Sequence, residues 1–210
     1  AHADADLLKK HLGIMGVELW FHANGIDESN VHHPYKVKSH GIGNSQILPK
    51  DYRRKGDIEL ILREMAEQVA VRLRRVRKKT TCVSIHVGYS RTEEKKSIQA
   101  QRKIDPTNQT KPLTEVVLDL FRQKYTSGAV RRVGISYQGL VDEAITVYSL
   151  FDDYEQVEKE EKLQKAVDTI RDEFGFTSLL KANSLLESSR VKARSQLVGG
   201  HSAGGLDGLT

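Results

Sequence analysis

From Thr80 to Tyr89 the apolar residues Val83, Ile85, Val87 and Tyr89 alternate with Cys82, Ser84, His86 and Gly88. Successive side chains of a strand point to opposite faces, so this run reads as a strand with one buried face and one face of small or polar groups. Three more runs carry the same signal. Ser39 to Gln46 contains glycines at 41 and 43 and is closed by Leu48-Pro49. Ser97 to Ile104 sets Ile98, Ala100 and Ile104 against Ser97, Gln99, Gln101 and Lys103, with Asp105-Pro106 as its expected stop. Val130 to Gln138 turns Val133, Ile135 and Tyr137 inward and Arg132, Gly134, Ser136 and Gln138 outward.

Between these strands the period changes from two to three and four. Asp57 is placed to cap a helix of about five turns whose apolar positions are Ile58, Ile61, Leu62, Met65, Val69, Leu73 and Val76. After Lys111-Pro112 a second helix carries Leu113, Val116, Val117, Leu120 and Phe121 on one side. The predicted order is βαββαβ, an α+β fold with two helices on one face of a four-stranded, largely antiparallel sheet. The other face is left open. Its expected side chains are small, polar or basic, and none is aromatic, which disfavours stacking of single-stranded bases. Such a face suits a phosphate backbone approaching main-chain N–H groups, and it equally suits pairing with another protein.

Charge narrows the partner. The chain of 210 residues has a net charge of +5. Residues 36–140 hold 23 Lys and Arg against 10 Asp and Glu, whereas residues 152–187 hold 5 against 10. A basic body with an acidic segment is expected to meet a polyanion through the body, although a solvated lysine-rich surface gives the same totals. With 38% hydrophobic residues the chain can bury a core of one or two domains. No window approaches a membrane span and the first residues lack a signal-peptide profile, so a cytoplasmic location is expected. The one cysteine, Cys82, excludes an internal disulfide and is expected to be a buried thiol.

Ahead of the module, residues 1–30 are expected to be helical. Asp4 to His11 and Gly16 to Ala23 read as short helices sharing Leu7, Leu8, Leu12, Leu19 and Trp20, with Asn24-Gly25 as a stop. Two helices of this size cannot close a core alone, so the chain is expected to start inside a domain. Residues 31–35 form a linker, in which His32 and His33 point apart and are not metal ligands. The sheet module occupies residues 36–140 and a tail residues 141–210.

The runs GVELWFHANGID, KSHGIGNSQIL, KKTTCVSIHVGYS and VRRVGISYQGL together resemble the end of the thumb and the little finger of a Y-family translesion DNA polymerase of the UmuC/DinB (ImpB/MucB/SamB) type. The tail from Phe174 is similar to that of UmuC-like proteins of Gram-positive bacteria. The resemblance implies a damage-tolerance role in DNA repair and the SOS response, with a little finger holding primer–template DNA against the rest of the polymerase. It implies that Ser39, Gly41, Gly43, Asn44 and Ser45 meet template phosphates and that Arg131 and Arg132 clamp backbone on the last strand. Charge and strand position add Lys79, Thr80, Thr81, Gln101, Arg102 and Lys103. The family's Mg²⁺-binding carboxylates belong to a palm ahead of everything present here, so no cofactor is expected in this chain and it should be inactive alone. Asp4, Asp6, Asp152 and Asp153 read as caps or solvated charge.

The segment TVYSLFDD, residues 146–153, is similar to the sliding-clamp peptide of the family. Val147, Tyr148, Ser149, Leu150 and Phe151 would be its contacts, with Leu150 and Phe151 as anchors in an apolar pocket. Val147 stands where the motif usually opens with glutamine, which removes a polar contact. A helix from Tyr154 to Phe174 then presents Leu163, Ala166, Val167, Ile170 and Phe174 on one face and stops at Gly175. It could fold back on the module, contact the polymerase core or dimerise. A short helix at Ser178 to Leu186 follows, Arg190, Lys192 and Arg194 offer a weak phosphate contact, and Gly199 to Thr210 has a disordered composition.

Overall fold

The computed structural model describes residues 1–27, 32, 41–144 and 154–195. They fall in two compact units, residues 1–38 and 39–210. The first unit pairs α1 (Ala5–Leu12) with α2 (Ile14–Ala23). Asp4 caps α1 by accepting from the Asp6 N–H at 2.7 Å, and only Gly13, at φ 65°, separates the helices. The second helix therefore starts two residues earlier than expected. Gly16 is buried at the crossing, where any Cβ would lie 2.3 Å from the Leu8 carbonyl oxygen. Leu7, Leu12, Ile14, Met15 and Leu19 remain exposed, so the pair buries little of its apolar surface within itself.

The second unit begins with β1 (Gly41–Tyr52), α3 (Lys55–Arg75), β2 (Lys78–Tyr89), β3 (Ile98–Thr107), α4 (Thr110–Lys124) and β4 (Val130–Asp142). The predicted βαββαβ order is the observed one. The sheet runs β1-β4-β2-β3 with every pair antiparallel, so β4 and β2 are central and β1 and β3 are edges. Both helices pack on one face. Ile58, Ile61, Leu62, Met65, Val69 and Leu73 of α3 join Leu113, Val117 and Phe121 of α4 against Val83, Ile85, Val87, Val133, Ile135 and Tyr137. The buried Tyr137 hydroxyl donates to the Ala66 carbonyl at 3.1 Å, and burial pushes its pKa above the ordinary phenol range.

Several boundaries differ from those expected, for identifiable reasons. Pro49 and Asp105-Pro106 do not end their strands, because both prolines lie on edge strands where a missing N–H removes no ladder bond. The β2–β3 register shifts beside Pro106, and the β1–β4 register shifts between Ile47 and Tyr52. Asp57 sits in the first turn of α3, whose cap residue is Arg54, so its charge favours the helix end without capping it. Val76 follows the last turn and is exposed rather than core. Cys82 is half-buried on the open side of β2, not buried in the core.

The tail folds back on the module. The helix α5 (Tyr154–Phe174) is followed by two 3₁₀ turns, Phe176–Ser178 and Ala182–Leu185, and by α6 (Val191–Ser195). Side chains of α3 pointing away from the sheet hold it: Arg74 grips Asp168 at 2.5 and 3.0 Å, Arg75 pairs with Asp172, and Glu67 takes Arg171 at 2.7 Å and Lys181 at 3.0 Å. Glu64, only 4% exposed, accepts from the Ser189 hydroxyl at 2.5 Å and the Arg190 N–H at 2.9 Å. Of the three placements open to the tail helix, docking on the module is the one observed.

Candidate nucleic-acid interface

Strand register lays the open face out in rows. Gly43, Ser136, Ser84 and Gln101 form one row, and Ser45, Gly134, His86 and Gln99 the next. Gly41, Gln138, Cys82 and Lys103 flank them on one side, with Ile47, Arg132 and Gly88 on the other. No position in these rows carries a carboxylate. The two middle rows line a shallow groove of about 780 Å³. Serine hydroxyls, glutamine amides and the flanking cations make it a surface of donors, able to hold a chain of anionic oxygens without matching any particular base.

The glycines have a structural cause beyond ligand access. A Cβ on Gly41 would stand 2.8 Å from the Tyr137 carbonyl oxygen, and one on Gly43 2.8 Å from that of Ile135. Gly134 is looser, since its Cβ would meet the Ser45 Cβ at 3.3 Å. Close approach of β4 therefore dictates glycine on β1, and the groove inherits its flat floor.

The structure sorts the predicted residues. Gly41, Gly43, Ser45, Gln101, Lys103 and Arg132 share the open face. Asn44 is in phase with Ile42 and Leu48, so its side chain lies on the helix side of β1. Arg102 likewise faces the helices, 3.5 Å from Asp119 of α4. Lys79 and Thr80 are buried, and the Thr80 hydroxyl donates to the Gln138 carbonyl at 2.6 Å. The Thr81 hydroxyl donates to the Gly139 carbonyl at 2.9 Å. A run of basic and hydroxyl residues at a strand start looked like a phosphate contact, but strand alternation and a locally shifted register turn most of it away. Arg131 lies at the rim, with Asp51 at 3.5 Å. Ser39 and the clamp-like Val147 to Phe151 lie outside the described residues.

Among the described residues Lys103 and Arg132 have no acidic partner. Gln138 and Arg91 also border the face. Arg91 was missed because a single arginine in a turn carries no periodic signal; only the fold brings it beside Arg132.

An antiparallel βαββαβ sheet with helices on one side and a carboxylate-free, donor-rich face on the other defines the class of module. The C-terminal domain of the impB/mucB/samB family matches residues 39–150, and the chain belongs to that family. It is 35% identical to UvrX of Bacillus subtilis, a protein named for UV-damage repair, over 93% of this chain and 47% of that one. It is 30% identical to DNA polymerase IV 2 of Halalkalibacterium halodurans, over 96% of this chain and 49% of the relative. DNA polymerase IV 2 of Bacillus subtilis is 33% identical over 93% and 47%. The chain thus spans about half the length of the curated relatives it matches.

Proposed function

We propose that this chain is the DNA-gripping C-terminal part of an error-prone translesion DNA polymerase, with a little finger that holds primer–template backbone without reading its sequence. The observation that carries this reading is the open face: no carboxylate, two unpaired cations, and donors spaced along antiparallel strands. Phosphate contacts of this kind fix register and orientation while leaving base identity unread. Polymerisation by the whole protein would need carboxylates holding Mg²⁺. The chain's own contribution is to bind and orient duplex for a catalytic centre elsewhere. A sliding-clamp contact through Val147 to Phe151 belongs to the same proposal and rests on that segment's sequence alone; a clamp pull-down unaffected by Leu150→Ala/Phe151→Ala would remove it.

The test is fluorescence anisotropy of the full chain with a primer–template duplex across a salt series. Affinity should fall with salt at a log–log slope of about −0.9 per neutralised phosphate, and Lys103→Ala/Arg132→Ala should flatten that slope by about two contacts regardless of sequence. Absence of binding at low salt would overturn the reading in favour of a sheet that pairs with protein.

A further inference from the structure

The groove does not stop at the sheet's end. Beyond Ile47 and Gly88 it opens into a bay of about 720 Å³ bordered by Arg91, Arg131, Arg132 and Asp51. Arg91 comes from the connection between β2 and β3, which is firmly anchored. Glu93 accepts from the Ala129 N–H at 2.9 Å and from Arg53 at 3.0 Å, and the Ser90 N–H donates to the Ala129 carbonyl at 2.8 Å. Lys95 donates to the Ser127 carbonyl and hydroxyl at 2.8 and 3.0 Å and lies over the Tyr89 ring. Gly128, at φ 121°, lets the Tyr89 ring pass where a Cβ would stand 2.9 Å away. These contacts fasten the connection to residues 127–129 and hold Arg91 at the bay that β4 enters with Arg131 and Arg132.

Three guanidinium groups around one recess, against a single carboxylate, make a site for a doubly coordinated anion oxygen. Among the described residues Arg91 and Arg132 have no acidic partner, while Arg131 is shared with Asp51 at 3.5 Å. We propose that this bay is a second phosphate site, at the end of the sheet, taking a backbone phosphodiester as the nucleic acid leaves the open face, and that Asp51 competes with that phosphate for Arg131. The proposal rests on the gripping role above. Arg91 extends the interface by one contact, Glu93 is the positioning residue of the connection, and Asp51 limits how tightly the end of the site binds.

The same salt series separates the two ideas. Arg91→Ala should weaken duplex binding about three- to fivefold at moderate salt and reduce the slope by about one contact, with an unchanged melting midpoint because Arg91 is exposed. Asp51→Asn should do the opposite, tightening binding about threefold and steepening the slope, since it frees Arg131 and removes a negative charge. If both variants superimpose on the parent while Lys103→Ala still weakens binding, the bay is overturned and the gripping role stands. If the parent itself does not bind at low salt, both fall.

Discussion

At the scale of single residues, glycine shows how one side chain can be set by two demands. The sequence made Gly41, Gly43 and Gly134 look alike, as small residues that let a backbone come near. The structure separates them by what a Cβ would strike: a carbonyl oxygen at 2.8 Å for Gly41 and Gly43, a side-chain carbon at 3.3 Å for Gly134. Gly43→Ala must push β1 from β4 and should cost on the order of 1–3 kcal/mol, the usual range for overpacking. Gly134→Ala needs only a few tenths of an ångström from a serine, so it should leave stability nearly intact while raising the groove floor and weakening duplex binding. Urea denaturation and anisotropy on the two variants check this, and equal stability losses would sink the distinction. The same scale explains which of the predicted side chains face away from the groove. Asn44 and Arg102 have the right chemistry but the wrong parity, and parity holds wherever the strand register runs without a shift.

At the scale of elements, α3 was half legible. Its inner stripe from Ile58 to Leu73 follows from period alone, whereas Arg74 and Arg75 read only as part of a basic last turn that exceeds what helix capping requires, and Glu64 and Glu67 carry no signal. Its partners stand far along the chain, Arg171 being 104 residues from Glu67, and no local pattern announces them. The tail is thus held mainly by polar groups, and its two glutamates should respond to acid in opposite ways. Burial pushes the Glu64 carboxyl above its ordinary value of 4.5, against the pull of Ser189 and Arg190. Burial would raise Glu67 too, but Lys181 and Arg171 outweigh it and hold that carboxyl below 4.5. A raised folded value makes Glu64's contribution fully present below 4.5 and lost as pH rises through that folded value. A depressed value makes Glu67's contribution present above 4.5 and lost as pH falls through it. On acidification from neutral pH, the parent should therefore gain stability relative to Glu64→Gln and lose it relative to Glu67→Gln. Melting midpoints of the three proteins at neutral pH and at about pH 4 test the signs, and parallel trends would refute the assignment.

At the scale of the whole second unit, the sheet separates two surfaces. One face carries the donor-rich rows, and the other carries the helices on which the tail is strapped. Arg171 is the centre of the strap: its side chain is 4% exposed, pairs with Glu67, donates to the Leu179 carbonyl at 3.0 and 2.8 Å and lies over the Phe176 ring. Removing it leaves Glu67 with Lys181 alone, so the loss should fall below the about 3–5 kcal/mol that breaking a buried pair costs when the remaining charge has no other partner. Charge cannot carry that damage to the open face. Residues 154–195 contain eight Asp and Glu and eight Lys and Arg, and the substitution shifts that balance by a single charge on the helix side of the sheet, away from the open face. Arg171→Ala should accordingly lower the melting midpoint by several degrees, yet at temperatures where the variant is folded its duplex affinity and salt slope should match those of the parent within about twofold. A matched loss of stability and affinity would mean that the strap and the sheet are coupled through α3, whose Arg72 donates to the Gly43 carbonyl at 2.9 Å and whose Ala66 carbonyl accepts from Tyr137 of β4 at 3.1 Å.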